Sequence, residues 1–445
     1  MANGRSILNL YSIINKSMGL SQADTIELLK GQDETTKELF RLMLCPSVMF
    51  FIKKLPEPEP CAATGVHFEE HLLECIQRIL SSGVRGNALK DSWKHLISAC
   101  TLELQEVCKW IIARKNPAKI GKSTVNKAWP GLIRTQRYMG AVPGTPENLE
   151  RLPWSDGVAV QDKEDGLALL VDYKNGESIS MHTRQGQDIT QYFPMFLKGL
   201  PFVLGFNGMV HHELFVYDTE AEELLDRKTG NGLINKQVKN GKVGGSIDQS
   251  LRSVILDFVD DNWPNTPESV RWSDLIAFEN PQCTRVNEIV LYDLPTARMY
   301  AQELIKRGKE GVICKDRSGL FKNGKPWYNV KIKNEFTVDL IIVDTKEHSK
   351  DPELIGSVLC ESSDGLLSTW VNLRCDTDRE HPDHFYRGAI VQVKAESIIR
   401  SKTKKTASLY LPRMDGNSWN EYHRFDKDSA DSYKYCKQKE EESRS

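Results

Sequence analysis

The chain reads as a multidomain protein in which an all-α domain precedes an α+β domain and an all-β barrel. Three observations predict this order. Apolar residues recur at spacings of three and four from Ser21 to about Ala113, short β-rich runs begin at Val158 around one helical run, and the segment beyond Lys333 is strand-rich.

Taking the elements in order, Leu39 with Leu42, and Leu72, Leu73, Ile76, Ile79 and Leu80, fall on helix faces. Pro56, Pro58, Pro60 and Gly65 interrupt this region with a loop, and Trp129-Pro130-Gly131-Leu132-Ile133 closes it, giving a domain over 1–133. Val142-Pro143-Gly144-Thr145-Pro146 reads as a linker within 134–150. The runs Leu167 to Val171, His212 to Tyr217 and Glu288 to Leu291, with the helical run Thr296 to Lys306, predict an α+β domain over 151–335. Val338 to Val343, Gly356 to Cys360, Leu367 to Leu373, Ala389 to Val393 and Ala407 to Leu411 are short strands separated by turn signals, which suit a small barrel over 336–436. The charged tail 437–445 is expected to be disordered.

At 445 residues the chain has room for two to four domains. Its 40% hydrophobic and 27% charged residues are ordinary for a globular protein, and no window reaches the roughly 18 uninterrupted apolar residues of a membrane span. The first ten residues lack a secretory leader pattern, so a soluble, cytoplasmic protein is expected. Ten cysteines are scattered without a Cys-x-x-Cys pair, which reads as reduced thiols and no zinc site. A net charge of −2 excludes an argument for nucleic-acid binding from the whole chain. Local basic stretches do exist: Arg114, Lys115, Lys119, Lys122 and Lys127; Lys306 to Lys333; and Arg400, Lys402, Lys404 and Lys405.

The chemistry is concentrated in an ordered series of short motifs. Lys163-Glu164-Asp165-Gly166 sets an amine beside a carboxylate and a turn glycine. It is followed by Arg184-Gln185-Gly186, His212-Glu213-Leu214, Ile255-Leu256-Asp257-Phe258, Lys309-Glu310-Gly311-Val312-Ile313-Cys314-Lys315, the pair Lys331-x-Lys333, and Arg424-Phe425-Asp426-Lys427. Any one of these is common on protein surfaces. Their order and spacing together resemble the covalent nucleotidyltransferases, the superfamily of ATP-dependent DNA ligases, RNA ligases and capping enzymes.

Within that resemblance, Lys163 is the nucleophile that carries AMP, its amine favoured in the neutral form by burial and by the cations Lys331 and Lys333. Asp165 completes the motif. Phosphoryl-type transfer rests on positioning and charge neutralisation, so Glu213 and Glu310 are the candidate carboxylates for a divalent metal. Lys331 and Lys333 alternate along a strand and so share one face, from which both reach the α-phosphate. Arg184, planar and forked, suits a ribose or a 5'-phosphate. Gln161 and Leu256 complete the nucleotide site, with Arg424 and Lys427 oriented to departing pyrophosphate if the last domain closes. His211-His212 lacks the spacing of a metal helix and is read as surface or supporting. Phe258, Trp272 and Phe278 are read as core.

The whole chain is similar to the ATP-dependent DNA ligases of the T-even bacteriophage type. Met49-Phe50-Phe51-Ile52-Lys53-Lys54, Asn126-Lys127-Ala128-Trp129-Pro130-Gly131-Leu132-Ile133 and Arg227-Lys228-Thr229-Gly230-Asn231-Gly232 add to the resemblance, as does Val338-Asp339-Leu340-Ile341-Ile342-Val343. It implies a helical DNA-binding domain, an adenylation (nucleotidyltransferase) domain and an OB-fold domain acting as a monomeric clamp around nicked duplex DNA. ATP would be the nucleotide and Mg2+ the metal. It names no replication or sliding-clamp partner, and a phage-encoded chain would act in the host cytoplasm.

Three positions depart from the family pattern. Leu167-Ala168 stands where an arginine commonly follows the lysine motif. Leu256 replaces an aromatic before Asp257, and His211-His212-Glu213 replaces Asp-Gly-Glu. An RNA ligase, a capping-type enzyme and a catalytically degenerate nucleic-acid-binding protein therefore stay open as alternatives.

Overall fold

The computed structural model describes residues 9–59, 66–348, 351–373, 376–379, 381–400 and 405–444. Pro60, Gly65, Lys402, Lys404, Cys61, Cys375 and the first eight residues lie outside them. The architecture is a helical amino-terminal region, a mixed α/β core and a carboxy-terminal β half-barrel.

The chain divides into two compact units, and the first comprises 1–139, 166–286 and 320–324. Its helical part holds Leu10–Ser17, Gln22–Lys30, Glu34–Leu44, Glu69–Ser81, Gly86–Ser98, Leu102–Ala113 and Lys122–Ala128. Four of these start at side-chain caps: Asn9, Ser21, Asp33 and Thr101 accept a backbone N–H of the first turn, satisfying donors that the helix itself cannot. The faces predicted from apolar spacing meet in one core of Leu39, Leu42, Leu72, Ile76, Trp93 and Ile111.

The α/β part of this unit is a sheet ordered Glu177–Thr183, Leu167–Lys174, Gly208–Asp218, Leu251–Asp260, Cys283–Arg285, with Glu223–Leu224 pairing onto Gly208–Asp218. Pairing is antiparallel except for the last strand. The register slips between His211 and His212, which pair with Asp257 and Ile255, so Leu256 is the extra residue of a β-bulge. The sheet carries Val210, Leu214, Ile255 and Phe258 into a buried core that Phe278 joins from the turn Leu275–Phe278, as predicted for the two phenylalanines.

The second unit comprises 140–165, 287–319 and 325–445. Its first sheet is ordered Val142–Pro143, Asn329–Lys333, Gly311–Asp316, Val158–Asp162, Glu288–Leu291. The helix Leu294–Lys306 buries Ala297, Ala301 and Leu304 against Val158, Val160 and Val312. Part of the predicted linker is thus structured. Val142 and Pro143 pair in parallel with Val330 and Lys331 at the sheet edge, where proline's missing N–H is tolerated, and Pro146–Glu150 forms a helix capped by Thr145.

The half-barrel is ordered Ser368–Asn372, Asp351–Glu361, Phe336–His348, Ile390–Ala395, Arg413–Met414, with the hairpin Ser397–Arg400 and Ala407–Tyr410 beside it. The expected disordered tail is instead the helix Tyr433–Arg444. Charge dominates its composition, but Tyr433 and the fully buried Cys436, three residues apart, enter the barrel core beside Val338, Val393 and Leu409. Among the described residues, no helix is long and apolar enough to cross a membrane.

Candidate active site

In the second unit, two antiparallel strands set the lysine motif. Val158–Asp162 pairs with Gly311–Asp316, and the Lys163 N–H extends the pairing by donating to the Gly311 carbonyl at 2.9 Å. Only glycine fits at 311: φ is +134°, and a Cβ there would fall on the Ile332 carbonyl oxygen. The residue before it, Glu310, forms an ion pair with the Lys163 ammonium, both side chains being largely buried. Burial pushes the Glu310 carboxyl above its usual range, Lys163 opposes the shift, and Asp165 and Glu396 add to it.

The neighbouring strand supplies the lysine pair in register, Lys333 opposite Gly311 and Lys331 opposite Ile313. Burial depresses the Lys331 ammonium, and the adjacent charges of Lys333 and Lys163 depress it further. Lys333 contacts the carboxylates of Glu396 and, at 3.1 Å, Glu335. Gln161 is buried and donates its amide to Glu288 at 2.7 Å. Glu164 is half-buried, its carboxyl raised chiefly by desolvation, with Lys309 at 3.5 Å. Lys163, Glu310, Lys331 and Lys333 are therefore gathered as the sequence suggested.

In the first unit, the Gly166 N–H donates to Glu213 Oε1 at 2.9 Å. A Cβ at Gly166 would stand 2.5 Å from the Leu214 carbonyl, so the close approach requires glycine. Ala168 lies opposite Glu213 across the strand pair, the place where the expected cation is missing. Arg184 follows the strand Glu177–Thr183 and lays its guanidinium 4.3 Å from the Tyr138 ring, which packs edge-on to His211 at 5.0 Å. Lys53, Arg114, Lys122, Arg184 and Lys239 line a groove of 790 Å³ in this unit.

Of the two readings of the histidines, surface or supporting, burial excludes the first. They sit on the central strand Gly208–Asp218, His211 buried and His212 fully so. His212 Nδ1 lies 3.0 Å from the Ser253 hydroxyl, and burial, then His211, drives its pKa down to about 3. The imidazole is thereby kept neutral. Leu256 is half-buried at the bulge, while Asp257 is committed to Arg271 at 2.7 Å. Trp272 is part of the same core edge, with the Arg285 guanidinium 4.1 Å from its ring.

Arg424 and Lys427 belong to the half-barrel and converge on one buried carboxylate. Arg424 Nη1 reaches Asp339 at 3.0 and 3.2 Å and its other nitrogens reach Asp426, while Lys427 contacts Asp339 and lies 3.6 Å from Asp431. The hydrogen bonds to Asp426 and Asp339 push the pKa of Arg424 up, and the one to Asp339 does the same for Lys427. Asp339, Glu396, Glu288 and Tyr138 were not anticipated as site residues, since each acts through a partner remote in sequence.

Among the described residues, no group of three or more His, Cys, Asp or Glu gathers as a metal site. Magnesium needs no such cage, because it binds through one or two carboxylates together with water and substrate phosphates. Glu310 in the second unit and, separately, Glu213 in the first each offer a hard oxygen donor of that kind. The eight described cysteines are free thiols, all buried except the half-buried Cys75.

No model of a known protein family matches the chain. Over 402 residues it is 24% identical to the DNA ligase of Enterobacteria phage T4, a match covering 80% of this chain and 82% of the relative. The DNA ligase of Enterobacteria phage T6 matches with the same identity and coverage. Among solved structures, Pmar-Lig_PreS3 matches with a TM-score of 0.70 at 17% identity, covering 92% of this chain and 99% of its own, which establishes a shared fold.

Proposed function

We propose that this chain is an ATP-dependent DNA ligase that seals 3'-hydroxyl/5'-phosphate nicks in duplex DNA. The observation that carries the reading is the convergence of Lys163, Glu310, Lys331 and Lys333 at three adjacent strands of one sheet. The likeness to the phage T4 and T6 DNA ligases along most of the chain supports the choice of DNA as substrate.

In this reading the Lys163 amine attacks the α-phosphorus of ATP. A P–N bond forms, the α–β P–O bond breaks, and pyrophosphate leaves with that electron pair. Lys331 and Lys333 hold oxygens of the reacting phosphate, where fixed positive charge counts most in a water-poor site. Glu310 receives the ammonium of resting Lys163 and keeps the side chain aimed. Next, a 5'-phosphate oxygen takes AMP from Lys163, breaking the P–N bond. The 3'-hydroxyl then attacks that phosphate, its proton is lost, and AMP departs.

Magnesium, held by Glu213 and Glu310, would supply neutralisation of phosphate charge. Gln161 and Leu256 would line the nucleotide, Arg184 would meet a ribose or 5'-phosphate, and Arg424 and Lys427 would meet pyrophosphate after release from Asp339. The domains in this reading are a DNA-binding domain over 1–133, an adenylation domain over 151–335 and an OB-fold over 336–436, acting as a monomer in the host cytoplasm.

The test is incubation with α-labelled ATP and magnesium after pre-bound AMP has been stripped, followed by denaturing electrophoresis. A band that Lys163→Ala abolishes and nicked DNA discharges is the expected result. A band from labelled GTP alone would turn the assignment to a capping-type enzyme. No band from either nucleotide would leave a non-catalytic nucleic-acid-binding protein.

A further inference from the structure

We infer that Glu396, reaching from the half-barrel onto Lys333, occupies that lysine's anion-binding position and thereby sets the affinity for nucleotide phosphate. The inference rests on the reading of Lys333 as a phosphate ligand. Its own support is geometric. The two side chains are in direct contact, with side-chain exposures of 14% for Lys333 and 12% for Glu396, so water screens the pair little.

The contact is built into the backbone on both sides. Ala395 pairs with Phe336 across the half-barrel, the Asn334 amide donates to the Glu396 carbonyl at 3.1 Å, and the Glu396 N–H donates to the Tyr410 carbonyl at 3.2 Å. Glu396 is therefore held opposite the segment Lys333 to Phe336 by bonds that do not depend on its carboxylate. Glu335 also meets Lys333, but Arg413 holds that carboxylate at 2.5 Å. Among the described residues, Glu396 has Lys333 as its one cationic partner.

A carboxylate and a phosphate oxygen make the same demand on an ammonium group. A single lysine between Glu335 and Glu396 cannot serve an incoming phosphate at full strength while Glu396 keeps its place. Nucleotide must displace Glu396 or bind beside its negative charge, and either route weakens binding without touching the bond-making step. Glu396 is accordingly a residue that tunes nucleotide affinity through Lys333; it is not a catalytic residue.

The experiment is single-turnover formation of the labelled lysine adduct across a series of ATP concentrations in the full chain. Glu396→Gln and Glu396→Met each remove the charge, and both are expected to lower the half-saturating ATP concentration about threefold or more. The saturating rate should stay within about twofold of the parent, and Glu396→Asp, which keeps the charge, should stay near the parent in both. A residue with only a structural role would lower the rate at every concentration. If one neutral variant fails to fold, as judged by its melting curve, the other decides. An unchanged or raised half-saturating concentration in a folded neutral variant overturns the role of Glu396 while leaving the ligase reading intact. Absence of label from the parent chain overturns both.

Discussion

Arg271 forks onto Asp257, its Nε and Nη2 lying 2.7 and 3.2 Å from the two carboxylate oxygens, with both residues buried. The same aspartate caps its own neighbour by accepting the Phe258 N–H at 2.9 Å. The pair thus fastens the helix Glu268–Asp274 to the bulged strand Leu251–Asp260. Arg271→Ala leaves a buried carboxylate uncompensated and should cost about 3–5 kcal/mol. Urea unfolding checks this, and a midpoint shift equivalent to under about 1 kcal/mol would show that water or another cation replaces the guanidinium.

In the proposed reaction Lys163 accepts AMP, so with Lys163→Ala adduct formation and nick sealing should both fall below detection. Binding to nicked duplex, which draws on basic surfaces elsewhere, should change less than about threefold. Electrophoretic mobility shifts alongside the sealing assay test the two halves of this statement together.

Gly311→Ala forces a Cβ onto the Ile332 carbonyl at a φ of +134°. Strain of about 1–3 kcal/mol is expected. Because the Gly311 carbonyl holds the Lys163 N–H, adduct formation should slow at least tenfold in protein that still folds. An adduct rate equal to the parent's would mean that the lysine's placement does not depend on this strand pair.

Glu69 gives the helical region a pH dependence. It is buried, accepts the Leu10 N–H at 2.7 Å, and burial raises its pKa to about 7 from an ordinary value near 4.5. The folded chain therefore binds a proton more tightly than the unfolded chain. The resulting stabilisation is complete below pH 4.5 and is lost as pH rises through 7, an effect on the order of 3 kcal/mol. Melting curves of the parent and Glu69→Gln at pH 5 and pH 8 should show the parent losing ground to the variant at the higher pH. A difference that does not vary between the two pH values would refute the assignment.

Duplex binding should weaken steeply with salt, because the groove lined by Lys53, Arg114, Lys122, Arg184 and Lys239 offers several cations to a phosphate backbone. Replacing two of them, for example Lys53→Gln with Lys239→Gln, should lower the slope of log affinity against log salt by about 2. An affinity that is flat between 50 and 200 mM salt, about the range over which such contacts respond, would exclude this groove as a phosphate surface.

Much of this molecule can be read from its sequence where a pattern repeats or a spacing is fixed by a strand. Helical periodicity located Leu39, Leu72 and Ile76 in one core, and alternation placed Lys331 and Lys333 on one face. Legibility fails where a residue's environment comes from a distant segment. Glu396 lies 63 residues from Lys333, and Asp339 lies 85 residues from Arg424, so neither stands out among ordinary surface-type acids. The histidines stayed undecided between surface and supporting places for the related reason that a central strand buries them and Ser253, remote in sequence, gives His212 a partner. The last helix misled because two anchoring residues, Tyr433 and Cys436, outweigh a charged composition.

The strand pairing that joins Lys163 to Gly311 also decides how the chain can tolerate motion. Lys163 and its carboxylate partner Glu310 adjoin neighbouring strands of one sheet, with Lys331 and Lys333 on the next strand over. Their backbone register is a property of that small sheet. Loops and helices elsewhere can rearrange, or diverge in sequence, without resetting the backbone from which the Lys163 side chain projects.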